Sequence, residues 1–498
     1  MELGLQMETL TCYETVGGVC VQHEETLETS IPEYCPDMAR IVDAIGQLCI
    51  REKTVSEARL TVSGDVKVTV LYTSEEVAGL RTLNVTVPFT CSMEDGRLSK
   101  AEVTWVYGRV LLTEGRAVTS RKLYLRVLPE LCAVSYVKAE KNLCISTAPE
   151  ESLRVKKETV MLPLLTGVSE YEISLMQDIP PEGEITPEDL LTYRFCPKIA
   201  GVQHVGNKLV VKGDLKISAL YRSDDQNLHT YDTSLPFSEV VEGLNLPENA
   251  ECAVESRSCG GEMRALRTDS GGGFSVSVRI PLLICAYEER TVSYISDLYS
   301  TRYHSEVKSD EVTVPEARSA KCLHREAETR LEFGQRQPFV YLLSLECGQV
   351  SLSQEEGTNQ IHTAWHAKLL YLDESGAPVT TERSEEITAE TEKISGGVRA
   401  YCAEAETAFS GDSCQLRFPV TFVLREEDTA QLTAVTALTL EPREKERGPS
   451  LILRRMRSGE TLWDIAKEYR TDEELIREIN QLEGSDANDQ MLLIPKIR

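Results

Sequence analysis

The stretch LTVSGDVKVTVLYTSEE, residues 60–76, decides the fold class, because apolar residues alternate with others along it. Period-two alternation is typical of a strand with one buried face, and the valines, threonines and tyrosine favour strands. The segment LVVKGDLKISALYRSDD, residues 209–225, matches it without a gap. The spacing of the two copies indicates a duplicated β module of about 150 residues, far longer than a solenoid repeat.

Both copies continue to a Pro-Phe pair, at Pro88-Phe89 and Pro236-Phe237. A third copy, HTAWHAKLLYLDESG at residues 362–376, keeps the Leu-Tyr pair but lacks the Gly-Asp and Pro-Phe pairs. The charged, proline-bounded stretch from Glu441 onwards has no apolar periodicity and indicates a linker. We therefore predict β module 1 at 1–150, module 2 at 151–302, a diverged module 3 at 303–440, a linker at 441–449 and a separate small domain at 450–498.

The totals narrow the classes of function. The 498 residues carry a net charge of -27, which disfavours nucleic acid and anionic membranes as partners. The sequence shows neither a signal-peptide pattern nor an apolar run long enough for a membrane span, so we expect a cytoplasmic protein without a transmembrane segment. The 15 cysteines include no CxxC pair and are interpreted mainly as buried, reduced side chains, with intermolecular disulfides as the alternative.

The sequence pattern changes at residue 450. Residues 450–498 predict the order strand, helix, helix, strand, whereas the preceding chain predicts strands alone. Leu462, Ile465, Ala466 and Tyr469 fall on one helix face. The run from Thr471 to Glu474 is interpreted as a capping box for a second helix. The predicted fold is therefore mainly β, with tandem β-rich modules followed by a small α+β domain of βααβ order.

The motif Gly459-Glu-Thr461-Leu462-Trp463-x-Ile465-Ala466-x-x-Tyr469, with Asn480 and Leu493-Ile494-Pro495, resembles the LysM family. This resemblance implies a βααβ domain that binds N-acetylglucosamine polymers in a groove between its two loops. The implied partner-binding groove comprises Ser458, Gly459, Glu460, Thr461, Leu462, Ser485, Asp486, Ala487 and Asn488. The implied core comprises Trp463, Ile465, Ala466, Tyr469, Leu475, Ile479, Leu493 and Ile494. The usual Pro-Gly before the last strand is absent and the loop at 484–489 is acidic, which disfavours sugar as the ligand.

The repeats together with LysM resemble the SPOCS proteins of spore-coat morphogenesis, of the SipL type. The resemblance implies a non-enzymatic adaptor made in the mother cell and recruited to the forespore surface. Its LysM domain would bind the coat-basement morphogenetic ATPase as a protein partner. The alternative is a peptidoglycan-binding protein that recognises glycan through LysM.

Motifs for catalysis are missing from the sequence. It contains neither a P-loop nor a GxSxG elbow, and the pair His362 and His366 lacks the glutamate of a zinc helix. We predict no catalytic, cofactor-binding or metal-binding residues, and a cell-wall hydrolase is the disfavoured third hypothesis.

Overall fold

A computed structural model describes residues 4–180, 187–223, 227–244, 246–247, 249–257, 259–268, 271–333, 339–355, 358–442, 450–457, 459–482 and 490–496. It is mostly β, with two α-helices close to the C-terminus, as the sequence predicted. Every strand pairing within these ranges falls inside one of four units, which we call the first (5–147), second (153–300), third (304–441) and LysM (451–495) units. The predicted module limits themselves remain a prediction.

The first unit consists of two antiparallel sheets and one short 3-10 helix, Gly96–Lys100. One sheet has the order β1-β7-β2 with β6 also on β7, and the other has the order β3-β4-β5. The strands are β1 (Leu5–Gln22), β2 (Glu25–Ser30), β3 (Arg40–Ser56), β4 (Arg59–Thr73), β5 (Leu80–Glu94), β6 (Val103–Thr119) and β7 (Lys122–Thr147).

The second unit repeats this plan. One sheet has the order β12-β14-β13 with β8 on β14, and the other has the order β11-β10-β9. The strands are β8 (Leu153–Ile179), β9 (Pro187–Val205), β10 (Lys208–Ser223), β11 (Leu228–Val241), β12 (Glu251–Glu255), β13 (Gly260–Thr268) and β14 (Gly271–Ser300).

The third unit has the same two-sheet plan, although its sequence has diverged. One sheet has the order β15-β22-β20 with β21 on β22, and the other has the order β16-β18-β17 with β19 on β18. The strands are β15 (His304–Glu332), β16 (Val340–Cys347), β17 (Ser351–Glu355), β18 (Thr358–Leu372), β19 (Pro378–Thr391), β20 (Val398–Cys402), β21 (Glu406–Ser410) and β22 (Ser413–Glu441). Both His362 and His366 lie on β18, and His362 contacts the Ser353 hydroxyl at 2.8 Å.

The repeated Gly-Asp and Pro-Phe pairs face each other across neighbouring strands. Gly64 is directly opposite Phe89, and Gly213 is directly opposite Phe237. In both copies the phenylalanine ring lies over the glycine, where a Cβ atom would collide with it. The repeated motif is thus one cross-strand contact, in which glycine leaves room for the aromatic ring.

The third unit fills the same position with different side chains. Counting back from the Leu-Tyr pair, Thr363 replaces the glycine and Ile387 replaces the phenylalanine, and the two are again directly opposite. The Thr363 hydroxyl donates to the carbonyl oxygen of Gly348 at 3.2 Å. With isoleucine in place of the phenylalanine ring, this position accommodates a threonine side chain.

Substitution of Gly64 by alanine tests this interpretation. The added Cβ would overlap the Cys49 carbonyl of the neighbouring strand and touch the Phe89 ring. We expect the free energy of unfolding to fall by roughly 1–3 kcal/mol, as for other overpacked cores. Gly201→Ala is the matched control, since nothing lies within 4 Å of a Cβ there. Equal stability of the two variants in urea unfolding would contradict the steric role of Gly64.

The three β units share buried contacts in addition to having cores of their own. Leu71, Leu220 and Leu370, the leucines of the three Leu-Tyr pairs, are all fully buried in one cluster. We call this cluster the leucine hub; its other buried members are Leu80, Leu191, Tyr341 and Leu343. A second shared cluster joins the long first and last strands of all three units, with Leu10, Leu164 and Leu432 among its members. The tandem modules are therefore packed around common contacts.

A half-buried group of charged and tyrosine side chains also joins the units. Glu255 of the second unit accepts from Arg399 of the third at 2.6 Å and from Arg257 at 3.1 Å. The Arg257 guanidinium lies 3.9 Å from the ring centre of Tyr107 in the first unit. Arg425 of the third unit donates to the Tyr136 hydroxyl at 3.1 Å. We call these six residues the charged junction.

The cysteines are mainly unbonded, with one exception. Cys20 and Cys132, directly opposite on β1 and β7, form a disulfide. The other 13 are free, and most are buried or half-buried. The expectation of reduced side chains is therefore wrong for this pair, which sequence could not single out among so many combinations.

Candidate functional site

The LysM unit has the predicted βααβ order. Its strands β23 (Leu451–Arg455) and β24 (Met491–Pro495) form an antiparallel pair, and α1 (Leu462–Tyr469) and α2 (Glu473–Asn480) lie between them in the chain. The Asn480 side chain donates to the Leu493 carbonyl at 2.8 Å and accepts from its amide at 2.7 Å. This bidentate contact fastens the end of α2 to the edge of β24.

The helix caps differ in part from the sequence prediction. Thr461 and Asp464 form a capping box at the start of α1, since each side chain satisfies the other's backbone amide. The α2 cap is Asp472, whose carboxylate accepts from the Glu474 amide at 3.0 Å. The predicted capping box at Thr471 is therefore wrong. Thr471 is fully buried and precedes the cap.

The side chains predicted to form the LysM core differ in burial. Ile465, Ala466 and Ile494 are fully buried, and Trp463 and Tyr469 are half-buried against them. The core placement is wrong for three others, which are 37–42% exposed: Leu475, Ile479 and Leu493. Strand alternation turns Leu493 away from its buried neighbours Leu492 and Ile494, and a two-turn helix such as α2 buries only Ile476.

Of the two loops that form the implied groove, the structure describes mainly the first, before α1. Ser458, Ser485, Asp486, Ala487 and Asn488 lie outside the described residues. On the described side, Glu460 accepts from Arg454 at 2.8 Å and from the Arg457 amide at 2.9 Å. Gly459 has a φ of 87°, a left-handed conformation that favours glycine. Thr461 is exposed and Leu462 is buried. The groove residues therefore remain a prediction.

One face of α1 contacts the second unit. The Trp463 indole nitrogen donates to Asp297 of β14 at 2.8 Å. Lys467, one turn later on α1, donates to both oxygens of the same carboxylate, at 2.6 and 2.7 Å. A strand bulge between Ile295 and Asp297 interrupts the β14–β8 ladder at this point. The tryptophan that the motif singles out is thus bonded within the chain.

Tyr299 extends this contact into the LysM core. Its ring meets Trp463 edge to face at 4.9 Å between centroids, and it is buried with the LysM apolar side chains. Its hydroxyl donates to the Thr471 carbonyl at 2.7 Å, and burial raises its pKa, so it stays a neutral donor. Arg154, opposite Tyr299 on β8, pairs with the α2 cap Asp472 at 2.6 Å. We call Arg154, Asp297 and Tyr299 the dock.

The opposite side of the LysM unit exposes apolar side chains. Leu453 and Leu493 are directly opposite each other on the outer face of the β23–β24 sheet and are 61% and 40% exposed. Leu451 and Met491, on the same face, are each 54% exposed. We call these four residues the LysM outer face. Arg455, directly opposite Met491, is exposed on the same face, so this surface combines four apolar residues with one basic residue. Exposed apolar residues grouped in this way are typical of a protein-interaction site.

The sequence reasoning missed the dock and the outer face. The signal for the outer face was present, because Leu451-Ile-Leu453 and Met491-Leu-Leu-Ile494 are apolar at every position, whereas a strand covered on one side alternates. No periodicity marked Asp297, Tyr299 or Arg154, because a contact between distant segments leaves no local pattern.

Comparison with known families assigns these units. Residues 37–106 and 188–258 match the family model described as "SipL, SPOCS domain", and residues 456–494 match the LysM domain. The two SPOCS segments correspond to each other within the repeats, since both span the Gly-Asp strand and the Pro-Phe strand that follows. No curated protein matches the chain.

Both families are non-catalytic, and together they indicate a sporulation-related protein with a peptidoglycan-binding type of module. Neither helix of the described residues has the length and apolar character to cross a bilayer. The chain thus carries SPOCS domains of the SipL family in two segments and a C-terminal LysM domain.

Proposed function

We propose that the protein is a non-enzymatic adaptor of spore-envelope assembly that holds a protein partner on the LysM outer face. The observation that carries this proposal is the exposure of Leu451, Leu453, Met491 and Leu493 on one sheet face. Apart from Arg455, the outward positions of this sheet are apolar, whereas a sheet face that needed only to be solvated would carry mainly polar residues there.

The orientation of the LysM unit supports this surface as the site. The dock covers one face of α1 and buries Tyr299 against the LysM core, so the indole of Trp463 is engaged inside the chain. In the β23–β24 sheet, the inner residues Leu492 and Ile494 are buried and the residues of the LysM outer face are exposed. The β units then present the LysM outer face to a partner in a fixed orientation, which lowers the entropy cost of binding.

The family context suggests the partner. The SPOCS and LysM matches indicate sporulation, and the SipL type implies coat assembly in the mother cell, with recruitment to the forespore surface. We propose the coat-basement morphogenetic ATPase as the protein bound by LysM. Such binding requires no catalytic group, in keeping with a scaffold that positions other proteins.

Direct glycan binding is the second candidate, and the LysM match favours it. N-acetylglucosamine polymers would occupy the groove that includes Gly459, Glu460 and Thr461, none of which belongs to the LysM outer face. The engagement of Glu460 with Arg454 and the Arg457 amide reduces the number of free acceptors there. The two candidates therefore use different surfaces and can be separated by substitution.

Leu453→Asp is expected to weaken capture of the ATPase by at least tenfold, roughly the loss seen at an interface hot spot. A carboxylate at the centre of the LysM outer face would be desolvated by any partner that covers Leu493 opposite. The measurement immobilises the full chain and quantifies the purified ATPase and purified peptidoglycan retained on it.

Val205→Asp is the matched control, since Val205 is 62% exposed on the second unit, far from LysM in the chain. It should retain the ATPase as the unchanged chain does. Equal ATPase binding by Leu453→Asp and the unchanged protein would rule out the LysM outer face as the site. Retention of peptidoglycan without the ATPase on the unchanged protein would overturn the adaptor proposal in favour of glycan recognition.

A further inference from the structure

Two free cysteines of the third unit lie side by side. The sulfur atoms of Cys347 and Cys402 are 2.8 Å apart, closer than two unbonded sulfurs usually approach. Each residue ends a strand, Cys347 on β16 and Cys402 on β20. These strands belong to different sheets, so the two thiols meet between the two layers of the unit.

The two thiols differ in access. Cys347 is 4% exposed, and its carbonyl accepts from Arg109 of the first unit. Gln349, two residues later, donates to Glu130 of the first unit at 3.3 Å. The first unit therefore contacts the chain on both sides of Gly348, next to Cys347. Cys402 is half-buried and is the sulfur that a small molecule reaches first.

We propose that Cys347 and Cys402 form an oxidisable dithiol site whose reactant is a small-molecule disulfide such as glutathione disulfide. The sulfurs need to close by less than about 1 Å to reach bonding distance. This inference stands apart from the partner proposed for LysM, since it rests on contacts outside the LysM unit.

The reaction proceeds by two thiol–disulfide exchanges. The Cys402 thiolate attacks one sulfur of glutathione disulfide, breaks its S–S bond and releases one glutathione thiolate, leaving a mixed disulfide on Cys402. The Cys347 thiolate then attacks the Cys402 sulfur and releases the second glutathione. The two protein thiols are oxidised, glutathione disulfide is reduced, and the released thiolates take up the two protons.

The product would tie the two sheets of the third unit together. In the sequence the bond closes a loop of 55 residues, so it restricts the unfolded chain. A hydrogen bond with Cys347, together with burial, raises the pKa of Cys402, so little thiolate is present at neutral pH and the exchange is slow. Long incubation with the oxidant is therefore part of the test.

The test incubates the full chain with excess glutathione disulfide, blocks the remaining thiols by alkylation and maps cross-linked peptides by mass spectrometry. We expect the peptide linking Cys347 to Cys402 as the main new cross-link, with two fewer alkylated thiols than the 13 free cysteines. The midpoint of thermal unfolding should rise by roughly 5–10 °C. Alkylation of both cysteines, carried out after the oxidant-treated chain is unfolded in denaturant so that buried thiols also react, would overturn the proposal.

Two variants sharpen the test. Cys414→Ser removes a fully buried cysteine of the same core and should leave the Cys347–Cys402 link unchanged. Cys347→Ser removes the resolving thiol and should leave glutathione attached to Cys402. Cross-linking of Cys402 to other cysteines as often as to Cys347 in the unchanged chain would contradict a defined pair, whatever the stability of the variants.

Discussion

Replacement of Glu255 by alanine is expected to lower the free energy of unfolding by about 3–5 kcal/mol, the usual cost of removing one partner from a buried ion pair. Its carboxylate, 20% exposed, faces Arg257 and Arg399, and both guanidinium groups contact the same oxygen atom. Without it, two positive charges at the contact between units would lose their counter-charge. The second and third units should then separate before either unfolds.

The measurement is urea unfolding followed by both tryptophan fluorescence and circular dichroism. Glu251→Ala is the control, because Glu251 is exposed on the same strand β12 and should cost within about 0.5 kcal/mol. Glu255→Gln keeps the shape of the side chain and removes only the charge. Unfolding of Glu255→Ala at the same urea concentration as the Glu251 variant would refute the role of the charged junction.

The charged junction also predicts a dependence on pH. Burial alone would raise the pKa of Glu255, but Arg399, Arg257 and Arg425 hold it below its ordinary value of 4.5. A carboxyl whose pKa is lower in the folded than in the unfolded state contributes stability above the unfolded value, and loses it as the pH falls through the folded value. The unchanged chain should therefore lose more stability below pH 4.5 than Glu255→Gln does.

Trp463→Ala is expected to destabilise the LysM unit by about 2–4 kcal/mol, somewhat less than for a fully buried tryptophan. The variant loses the edge-to-face contact with Tyr299 and the hydrogen bond to Asp297. This side chain therefore contacts the second unit as well as the LysM core. We expect the LysM unit to become sensitive to proteolysis while the β units stay folded.

A double-mutant cycle separates docking from LysM core packing. Asp297→Ala alone should release Trp463 and Lys467 from the dock, and its effect should not add to that of Trp463→Ala. Trp463→Phe is the matched variant, because it retains a ring beside Tyr299 and lacks the N–H donor. Full additivity of Trp463→Ala and Asp297→Ala would show that the hydrogen bond between Trp463 and Asp297 does not contribute to docking.

Local pattern was enough to predict most of the architecture. Period-two alternation predicted the strands. The Gly-Asp and Pro-Phe pairs indicated a duplication, and in the structure they form one cross-strand contact, with Gly64 directly opposite Phe89. The LysM motif predicted the βααβ order. These features depend on neighbours in the chain or in one hairpin, so they leave a trace in the sequence.

Contacts between units left no such trace. Leu71 reads as one more apolar position of a strand, and only the structure shows that it meets Leu220 and Leu370. The sequence also suggested a LysM domain carried on a linker, whereas Asp297 and Tyr299 hold it against the second unit. The side of the LysM sheet that is exposed follows from that docking, and so the candidate site could not be placed from the motif.

The leucine hub bears on how the chain reaches its folded state during synthesis. Leu71 and Leu220 are made well before Leu370, yet all three are buried together. Strand β1 can also pair only after β7 has been synthesised, since Leu5 pairs with Thr147. Pairings this distant in sequence form slowly. A ribosome-bound chain that ends before the third unit will therefore expose Leu71 and Leu220 to solvent. Chaperones that bind nascent apolar segments should bind the chain at these leucines.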